Sequence, residues 1–304
     1  WNASRFIMMN LEKAEVPSSM DFANLTAADK WILCKFNDVA KDVTDNMEKF
    51  ELGIAVQKVY DFIWDEFCDW YVETAKYRIY HKEEEKAAAD CVLWVLKTVL
   101  KQALKLLHPF MPFITEEIYS VLVPEEESLM MSEWPQFHAE WDFPAEENVM
   151  EHVKEITRGI RNMRAEMNVP NNRKTKVYVV CEDTEICDGI STLENSIKPL
   201  MMAEKILVQQ TKENIADNAV SVVVPDAVVY LPLEDLVDFE QEMERLQKEE
   251  EKLKKEIKRA EGMLSNERFI SKAPEAKVQE EREKLEKYTQ MLQQVQERMA
   301  GLKK

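Results

Sequence analysis

Residues 236–304 constrain the fold of this chain most, because apolar residues recur there at alternating steps of three and four. Such stripes are the heptads of a coiled coil, and Ser265–Lys277 is short enough to turn the chain back. The sequence therefore predicts an antiparallel coiled-coil hairpin, turning near Ile270, with arms of about 29 residues and roughly 43 Å. The first stripe comprises Leu236, Phe239, Met243, Leu246, Leu253, Ile257, Ala260 and Leu264, interrupted by Glu250, and the second comprises Val278, Leu285, Tyr288, Leu292, Val295, Met299 and Leu302, interrupted by Glu281.

The remaining chain divides into two segments, and the fold class predicted is mainly α. Residues 1–146 have the helical periodicity of a bundle, with Thr26 as an N-cap, a long helix over Leu52–Tyr80, and His108-Pro109 ending a third helix. Thr115 is expected to cap a short helix that follows. Only 5 glycines among 304 residues also favour helices over sheet.

Residues 147–235 change character and predict a small α+β module. A helix ends before Val169-Pro170, and short runs of β-branched residues follow. The module is too small for a nucleotide-binding sheet covered by helices on both faces. Its expected strands are Val177–Cys181, Ile206–Gln209, Ala219–Val224 and Val228–Leu231, with a short helix near Ser191–Met201.

The net charge of -18 argues against nucleic acid until its distribution is considered. Residues 1–150 carry 14 basic and 28 acidic groups, residues 151–239 carry 10 and 15, and residues 240–304 carry 16 and 15. The segments therefore have charges of -14, -5 and +1. The C-terminal hairpin is the part that phosphate repels least.

A basic run inside this acidic chain is the strongest candidate for binding. Steps of four and three place Lys154, Arg158 and Arg161 on one helix face. Because the planar fork of arginine suits phosphate oxygens, the run predicts a backbone-binding surface. The alternative is a set of surface ion pairs with the acidic bundle. Arg164 extends the run, and Arg173, Lys174 and Lys176 continue it beyond Pro170.

Aromatic residues and two arginines of the hairpin are further candidates. The helical spacing of the aromatics between Tyr60 and Tyr71 favours core packing over stacking on bases. Trp31, near a helix start beside Lys30 and Lys35, is either a base-stacking ring or a core residue. Arg259 and Arg282 are nearly equidistant from the predicted turn, so antiparallel pairing brings them side by side against RNA; the alternative is pairing with neighbouring glutamates.

Signatures of catalysis, metal binding and membrane insertion are absent from the sequence. It contains no GxGxxG, GxxxxGK[ST], HExxH or GxSxG motif. Five scattered cysteines without CxxC spacing indicate reduced thiols of a cytoplasmic protein and no zinc site. We therefore expect no catalytic residues, no metal, no cofactor and no membrane span in this chain.

Nine stretches, in order and nearly end to end, resemble the class I valyl-tRNA synthetases. Shorter parts also resemble isoleucyl enzymes, whereas Tyr60–Tyr71 combined with the hairpin is valyl-like. The stretches are Trp1–Phe6 (WNASRF), Asp29–Leu33 (DKWIL), Tyr60–Tyr71 (YDFIWDEFCDWY), Leu107–Glu117 (LHPFMPFITEE), Ser132–Pro135 (SEWP), Ile160–Pro170 (IRNMRAEMNVP), Leu231–Leu233 (LPL), Leu264–Phe269 (LSNERF) and Lys272–Pro274 (KAP).

The resemblance implies an anticodon-binding bundle, a small α/β module, and an arm lying on the outer corner of a tRNA. The whole enzyme of that family ligates valine to tRNA with ATP and Mg. The family's HIGH and KMSKS motifs do not occur here. We therefore expect a monomeric, cytoplasmic, non-catalytic fragment, whose partners are valine tRNA and the missing N-terminal catalytic and editing domains.

Site residues follow from the resemblance position by position. Asn2 and Arg5 match the polar pair that opens the anticodon domain, and Trp31, flanked by Lys35, is expected to face an anticodon base. Arg161 and Arg164 match the Ile-Arg-x-x-Arg helix, whereas Glu267-Arg268 replaces small residues at the tip. Two alternatives stay open: a coiled-coil module that binds a partner protein, and the equivalent region of an isoleucyl-type synthetase.

Overall fold

A computed structural model describes residues 1–12, 14–236, 239–266 and 275–302. The chain forms two compact units, Trp1–Pro232 and Leu233–Lys304. The first unit contains both the helix bundle and the small α+β module. None of the described helices is long and apolar enough to cross a membrane.

The first unit begins with the predicted helix bundle. Thr26 caps α2 as the sequence predicts, and its hydroxyl and Asp29 form a reciprocal capping box. The bundle helices are α1 (Asn2–Leu11), α2 (Ala27–Glu48), α3 (Leu52–Asp61), α4 (Glu73–Tyr80), α5 (Lys86–Leu107), α6 (Pro112–Leu122) and α7 (Pro144–Glu166), with 3-10 turns at Phe22–Asn24, Leu129–Met131 and Ala139–Trp141.

The predicted helix over Leu52–Tyr80 is helical throughout, but its centre, Phe62–Val72, is π-helical and joins α3 to α4. Phe67 and Tyr71 are buried there, as core packing requires. Two aromatic residues assigned to the core are exposed instead: Tyr60 and Trp64 project in parallel from adjacent turns, with ring centroids 6.1 Å apart. The polar residue Gln57 lies on the same helix face, and its presence in the sequence indicates that this face is exposed to solvent.

The prediction that Thr115 caps a helix is wrong. Helix α6 begins earlier, at Pro112, because proline is suited to the first helical turn. The Thr115 hydroxyl donates to the Met111 carbonyl oxygen and also lies 2.8 Å from Nδ1 of His108. Thr115 thus ties α6 to the end of α5 from within the helix.

A buried ion pair joins the start of α2 to α4. Arg78 donates to both carboxylate oxygens of Asp29 at 2.6 Å. The Tyr71 hydroxyl donates to the same carboxylate at 2.6 Å, and the Thr26 amide does so at 2.9 Å. Burial alone would raise the pKa of Asp29, but the charge of Arg78 and these hydrogen bonds hold the pKa below its ordinary value. Asp29 is therefore a charged group whose partners all come from the bundle.

The small module is a four-stranded mixed sheet with helices between two of its strands. Its strand order is β2-β1-β4-β3; β1 is parallel to β2 and antiparallel to β4, which forms a hairpin with β3. The parallel pair needs a crossover, which α8 and α9 supply. The elements are β1 (Thr175–Cys181), α8 (Thr184–Thr192), α9 (Glu194–Met201), β2 (Ala203–Gln209), β3 (Val220–Val224) and β4 (Ala227–Leu231).

Helix α7 holds the module against the bundle. It packs on α2 on one side and on α8, α9 and β3 on the other. Two glycines permit this approach: a Cβ at Gly159 would lie 2.7 Å from a γ-carbon of Val222, and one at Gly189 would lie 2.6 and 2.7 Å from the two γ-carbons of Val149. The α7 helix ends before Val169-Pro170, as predicted, with Asn168 left-handed.

The second unit is the predicted helical hairpin. After α10 (Leu233–Leu236), α11 (Phe239–Leu264) and α12 (Glu275–Leu302) pack along each other. Their shared core contains Leu246, Leu253 and Val295, with Tyr288 and Leu292 beside it. The two polar residues of the stripes are half-buried and satisfied: Glu250 binds Lys254 and Gln296, and Glu281 binds Lys284. The turn near Ile270 lies outside the described residues.

We expect Asp29→Asn to lower the free energy of unfolding by about 3–5 kcal/mol, because it leaves the Arg78 charge buried without its partner. The lowered pKa of Asp29 makes its contribution present above about pH 4 and progressively lost as pH falls through the folded-state pKa. Urea unfolding between pH 2 and pH 7 should show this loss in the wild type and not in the variant. Asp42→Asn is the control, since Asp42 pairs with Lys58 on the surface; a cost above about 1 kcal/mol there would contradict the distinction.

Gly189→Ala should lower the free energy of unfolding by about 1–3 kcal/mol, because its methyl group would overlap Val149, whose β-branched side chain has little freedom to rotate. Gly53→Ala, in α3 of the same unit, meets nothing within 4 Å and should leave stability unchanged or raise it by up to about 1 kcal/mol. Thermal unfolding of both variants measures the difference. Equal effects would show that α7 and α8 tolerate a wider spacing.

Candidate nucleic-acid interface

The basic run from Lys154 to Lys174 does not form one cationic face, which corrects the sequence prediction. Lys154 is buried, and its ammonium group donates to Glu66 at 2.9 and 3.1 Å and to Glu151 at 3.2 Å. Its partners are Glu66 of the π-helical segment Phe62–Val72 and Glu151 of α7 itself, so the ammonium group is neutralised where α7 packs on the bundle. Lys154 is therefore removed from the RNA-binding candidates.

Arg164 is also buried, and it clamps the loop after α7. One of its terminal nitrogens donates to the carbonyl oxygens of Pro170 at 3.0 Å and Arg173 at 2.6 Å. Burial lowers the pKa of Arg164 from its ordinary value. Its other terminal nitrogen has no partner among the described residues. Arg164 thus positions the loop that carries the next basic residues and does not itself present a charge to a ligand.

Arg158 and Arg161 are exposed and lie over one tryptophan. Their guanidinium carbons are 5.9 and 5.8 Å from the centroid of Trp70. Arg158 also pairs with Glu155 at 2.7 Å, and Arg161 donates to the Leu200 carbonyl oxygen. They form one edge of a cleft of about 910 Å³, which further includes Asp65, Glu66, Asp69, Glu73, Lys76 and His81.

The lining of this cleft both attracts and repels phosphate, because acidic side chains face the two arginines. Four carboxylates oppose two guanidinium groups and one lysine in its lining. A phosphate at the outer edge can meet Arg158 or Arg161, whereas one deeper in the cleft meets carboxylates. The two arginines therefore stay candidates as contacts at the rim.

Trp31 is fully buried, so its ring is not available to stack on a base. The Lys154 ammonium lies 5.3 Å from the ring centroid, between Trp31 and the carboxylates it binds. Lys35 is neutralised in the same region by Glu147 at 2.5 Å and Glu151 at 3.5 Å. The expectation that Trp31 faces an anticodon base is therefore wrong for this fold, since α7 covers that face of α2.

Asn2 and Arg5 are both exposed on α1. Asn2 lies at the edge of a mainly apolar groove of about 690 Å³ that also includes Trp1, Phe6, Trp64 and Met111. Asn2 thus lines the same groove as the exposed aromatic Trp64. The structure leaves them accessible, as a role in binding requires.

A polar cleft of about 420 Å³ near the end of α7 combines Lys174, already a candidate, with polar side chains that the sequence did not single out. Asn171, Asn172 and Asn195 contribute amides, and Lys174 and Lys198 contribute cations. Amides and ammonium groups are donors for phosphate and sugar oxygens. Lys198 pairs weakly with Glu194 at 3.8 Å, and Arg173 is half-buried on the same loop. The paired asparagines directly before the basic Arg173-Lys174 pair were the available signal.

On the arm, Arg259 and Arg282 are exposed and lie off the apolar seam, as predicted. Arg259 is only 3.8 Å from Glu256, and its side chain is 73% exposed. The neighbouring glutamate therefore does not bury or fully neutralise it. That the two arginines lie side by side stays a prediction.

One group of three potential metal ligands occurs among the described residues: Cys34, Asp38 and Glu147. Burial is the main cause that raises the pKa of the Cys34 thiol, and Glu147 raises it further. Lys35 pairs with the other carboxylate oxygen of Glu147, Oε1, beside this group.

Two families of known proteins match separate segments of the chain. A family model described as the anticodon-binding domain of tRNA ligase matches residues 29–179, and one described as the valyl tRNA synthetase tRNA binding arm matches residues 238–303. The chain is 48% identical over 302 residues to a valine–tRNA ligase of Clostridium perfringens and 39% identical over 304 residues to one of Enterococcus faecalis. These alignments cover 99% and 100% of the chain but 34% of each relative. The chain thus spans about a third of the length of these curated relatives.

We expect Arg164→Ala to lower the free energy of unfolding by about 1–3 kcal/mol, because two carbonyl oxygens lose a charged donor. Lys174→Ala, at an exposed position of the same loop, should change it by no more than about 0.5 kcal/mol. Urea unfolding provides the measurement. An Arg164→Ala protein that keeps full stability but loses RNA binding would return Arg164 to the phosphate contacts.

Proposed function

This chain belongs to the valyl-tRNA synthetase family, and we propose that it grips valine tRNA at its anticodon and outer corner for a ligation that takes place elsewhere in a longer protein. A tRNA partner follows from the two matched domains. The matched arm carries the proposal, because it is a valyl-specific model located on a hairpin that presents exposed cations. The same match favours a valyl over an isoleucyl origin.

Within this proposal, the bundle reads the anticodon. Asn2 and Arg5 remain candidates because both are exposed, whereas Trp31 and Lys35 are withdrawn by burial and by ion pairing. Unpaired bases are recognised through their edges and by stacking on aromatic rings. Trp64, exposed beside Asn2 at the apolar groove, supplies such a ring.

The module and arm hold the backbone. Arg158 and Arg161 at the acidic cleft, and Arg173 and Lys174 on the loop that Arg164 clamps, are the remaining contacts of the first unit. Arg259 and Arg282 belong to the arm. Contacts of this kind supply affinity and register, whereas base contacts supply identity.

Activation, transfer and editing belong to other parts of the longer protein, where ATP and Mg would be used. This agrees with the absence of the HIGH and KMSKS motifs and with the 34% coverage of the relatives. Five free thiols support a reducing cytoplasm as its location. We further propose that the chain acts as a monomer.

The test is filter binding of the full chain to three RNAs: valine tRNA, the same tRNA with an altered anticodon, and a tRNA for another amino acid. We expect valine tRNA to bind at least about tenfold more tightly than the others, with affinity falling steeply as salt rises. Equal binding to all three would remove the anticodon-reading role. A dimer that forms with concentration and ignores RNA would support the protein-interaction alternative, and valine-dependent ATP–pyrophosphate exchange would overturn the non-catalytic assignment.

A further inference from the structure

The outward faces of the two arm helices carry different charges. On α11, Lys252, Lys255 and Arg259 follow one another at steps of three and four, so they share the face opposite the seam. Lys258 flanks them, and all four are exposed. We refer to these four residues as the α11 ridge. Its seam side is occupied instead by Leu253, Ile257 and Ala260, which are buried or half-buried.

The ridge cations are available to a ligand. Lys252, Lys255 and Lys258 make no ion pair within the part of the chain that the structure describes, and Arg259 makes only its 3.8 Å contact with Glu256. Lys254, nearer the seam, shows the contrast, since it pairs with Glu250 at 2.7 Å. The ridge thus differs from the bundle, where Lys35 and Lys154 form ion pairs with glutamates.

The outward face of α12 carries mixed charge with an acidic excess, because the exposed Lys287 lies among its glutamates. Glu280, Glu283 and Glu286 are exposed at the same steps of three. Further along the helix the face carries Gln290, Gln293 and Gln294. Lys284 lies closer to the seam and is held by Glu280 at 2.7 Å and Glu281 at 3.0 Å. A phosphate approaching this face meets three carboxylates and one ammonium group.

We propose that the RNA backbone lies along the α11 ridge and not along the back of α12, so that the arm has a single phosphate-binding face. The inference rests on the proposed function and assigns the backbone contacts of the arm to α11, with Arg282 as the one remaining candidate on α12. From Lys252 to Arg259 the ridge is about 10 Å long, which spans successive phosphates of one strand. Three of its four residues are lysines, flexible point charges suited to backbone contact rather than to reading bases.

Because the ridge consists mainly of lysines, its effect on RNA binding can be distinguished from anticodon recognition. Backbone contacts carry affinity but no sequence information. Loss of the ridge should therefore weaken valine tRNA and other tRNAs by the same factor. The preference for valine tRNA, measured as the ratio of the two affinities, stays unchanged.

The first test compares two double variants of the full chain with the same charge change. K252A/K255A removes two ridge lysines, and K277A/K287A removes two exposed lysines of α12. In filter binding, we expect K252A/K255A to weaken valine tRNA about tenfold and to reduce the slope of log affinity against log salt by about 2. We expect K277A/K287A to stay within about twofold of the wild type. Circular dichroism should show unchanged helix content in both, since none of the four lysines lies on the seam.

A charge-swapped variant, K252E/K255E/E283K/E286K, keeps the net charge of the arm and moves its cations to α12. If this variant kept its affinity for tRNA, the proposal of a phosphate-binding ridge would be wrong, because the total charge of the arm would then be enough for binding. Equal losses in the two double variants would also overturn it. Wild-type protein that binds tRNA without any preference would remove anticodon reading alone, whereas wild-type protein that binds no tRNA would overturn both proposals.

Discussion

The bidentate ion pair between Asp29 and Arg78 is the contact on which the first unit depends. It fixes the start of α2, where Asp29 also completes the Thr26 cap, to α4 at the other end of the long Leu52–Tyr80 helix. Because both groups are almost wholly buried, neither can exchange its partner for water. The position of α2 then determines where α7 packs, and α7 carries the small module.

The same packing determines which cationic side chains of the first unit are buried and which stay exposed. In the strongly acidic bundle, the inward-facing Lys35 and Lys154 are both bound by glutamates. Arg164 is buried against carbonyl oxygens instead. Of the cations in the predicted basic run, Arg158, Arg161 and Lys174 are exposed at the edges of clefts.

The arm presents cations to an anionic ligand in a different way from the first unit, although the chain as a whole is acidic. Two helices have little interior, so their charged residues stay on the surface and their sorting between the helices matters more than their sum. Residues 240–304 carry nearly balanced charge, 16 basic and 15 acidic groups. Yet Lys252, Lys255 and Arg259 lie on one back and Glu280, Glu283 and Glu286 on the other.

Periodicity in the sequence determined the element types, the Thr26 cap, the end of α7 before Val169-Pro170 and the heptad seam, because these depend on residues close together in the chain. The family resemblance could also be read from local motifs and is confirmed by the matched domains. Only the tertiary structure decided which candidates face solvent. Trp31 and Lys154 lie 123 positions apart, and each is buried by the element that carries the other. Tyr60 and Trp64 share the helical spacing of their buried neighbours but are exposed. Exposure depends on what long-range packing brings against a side chain, and no local pattern contains that information.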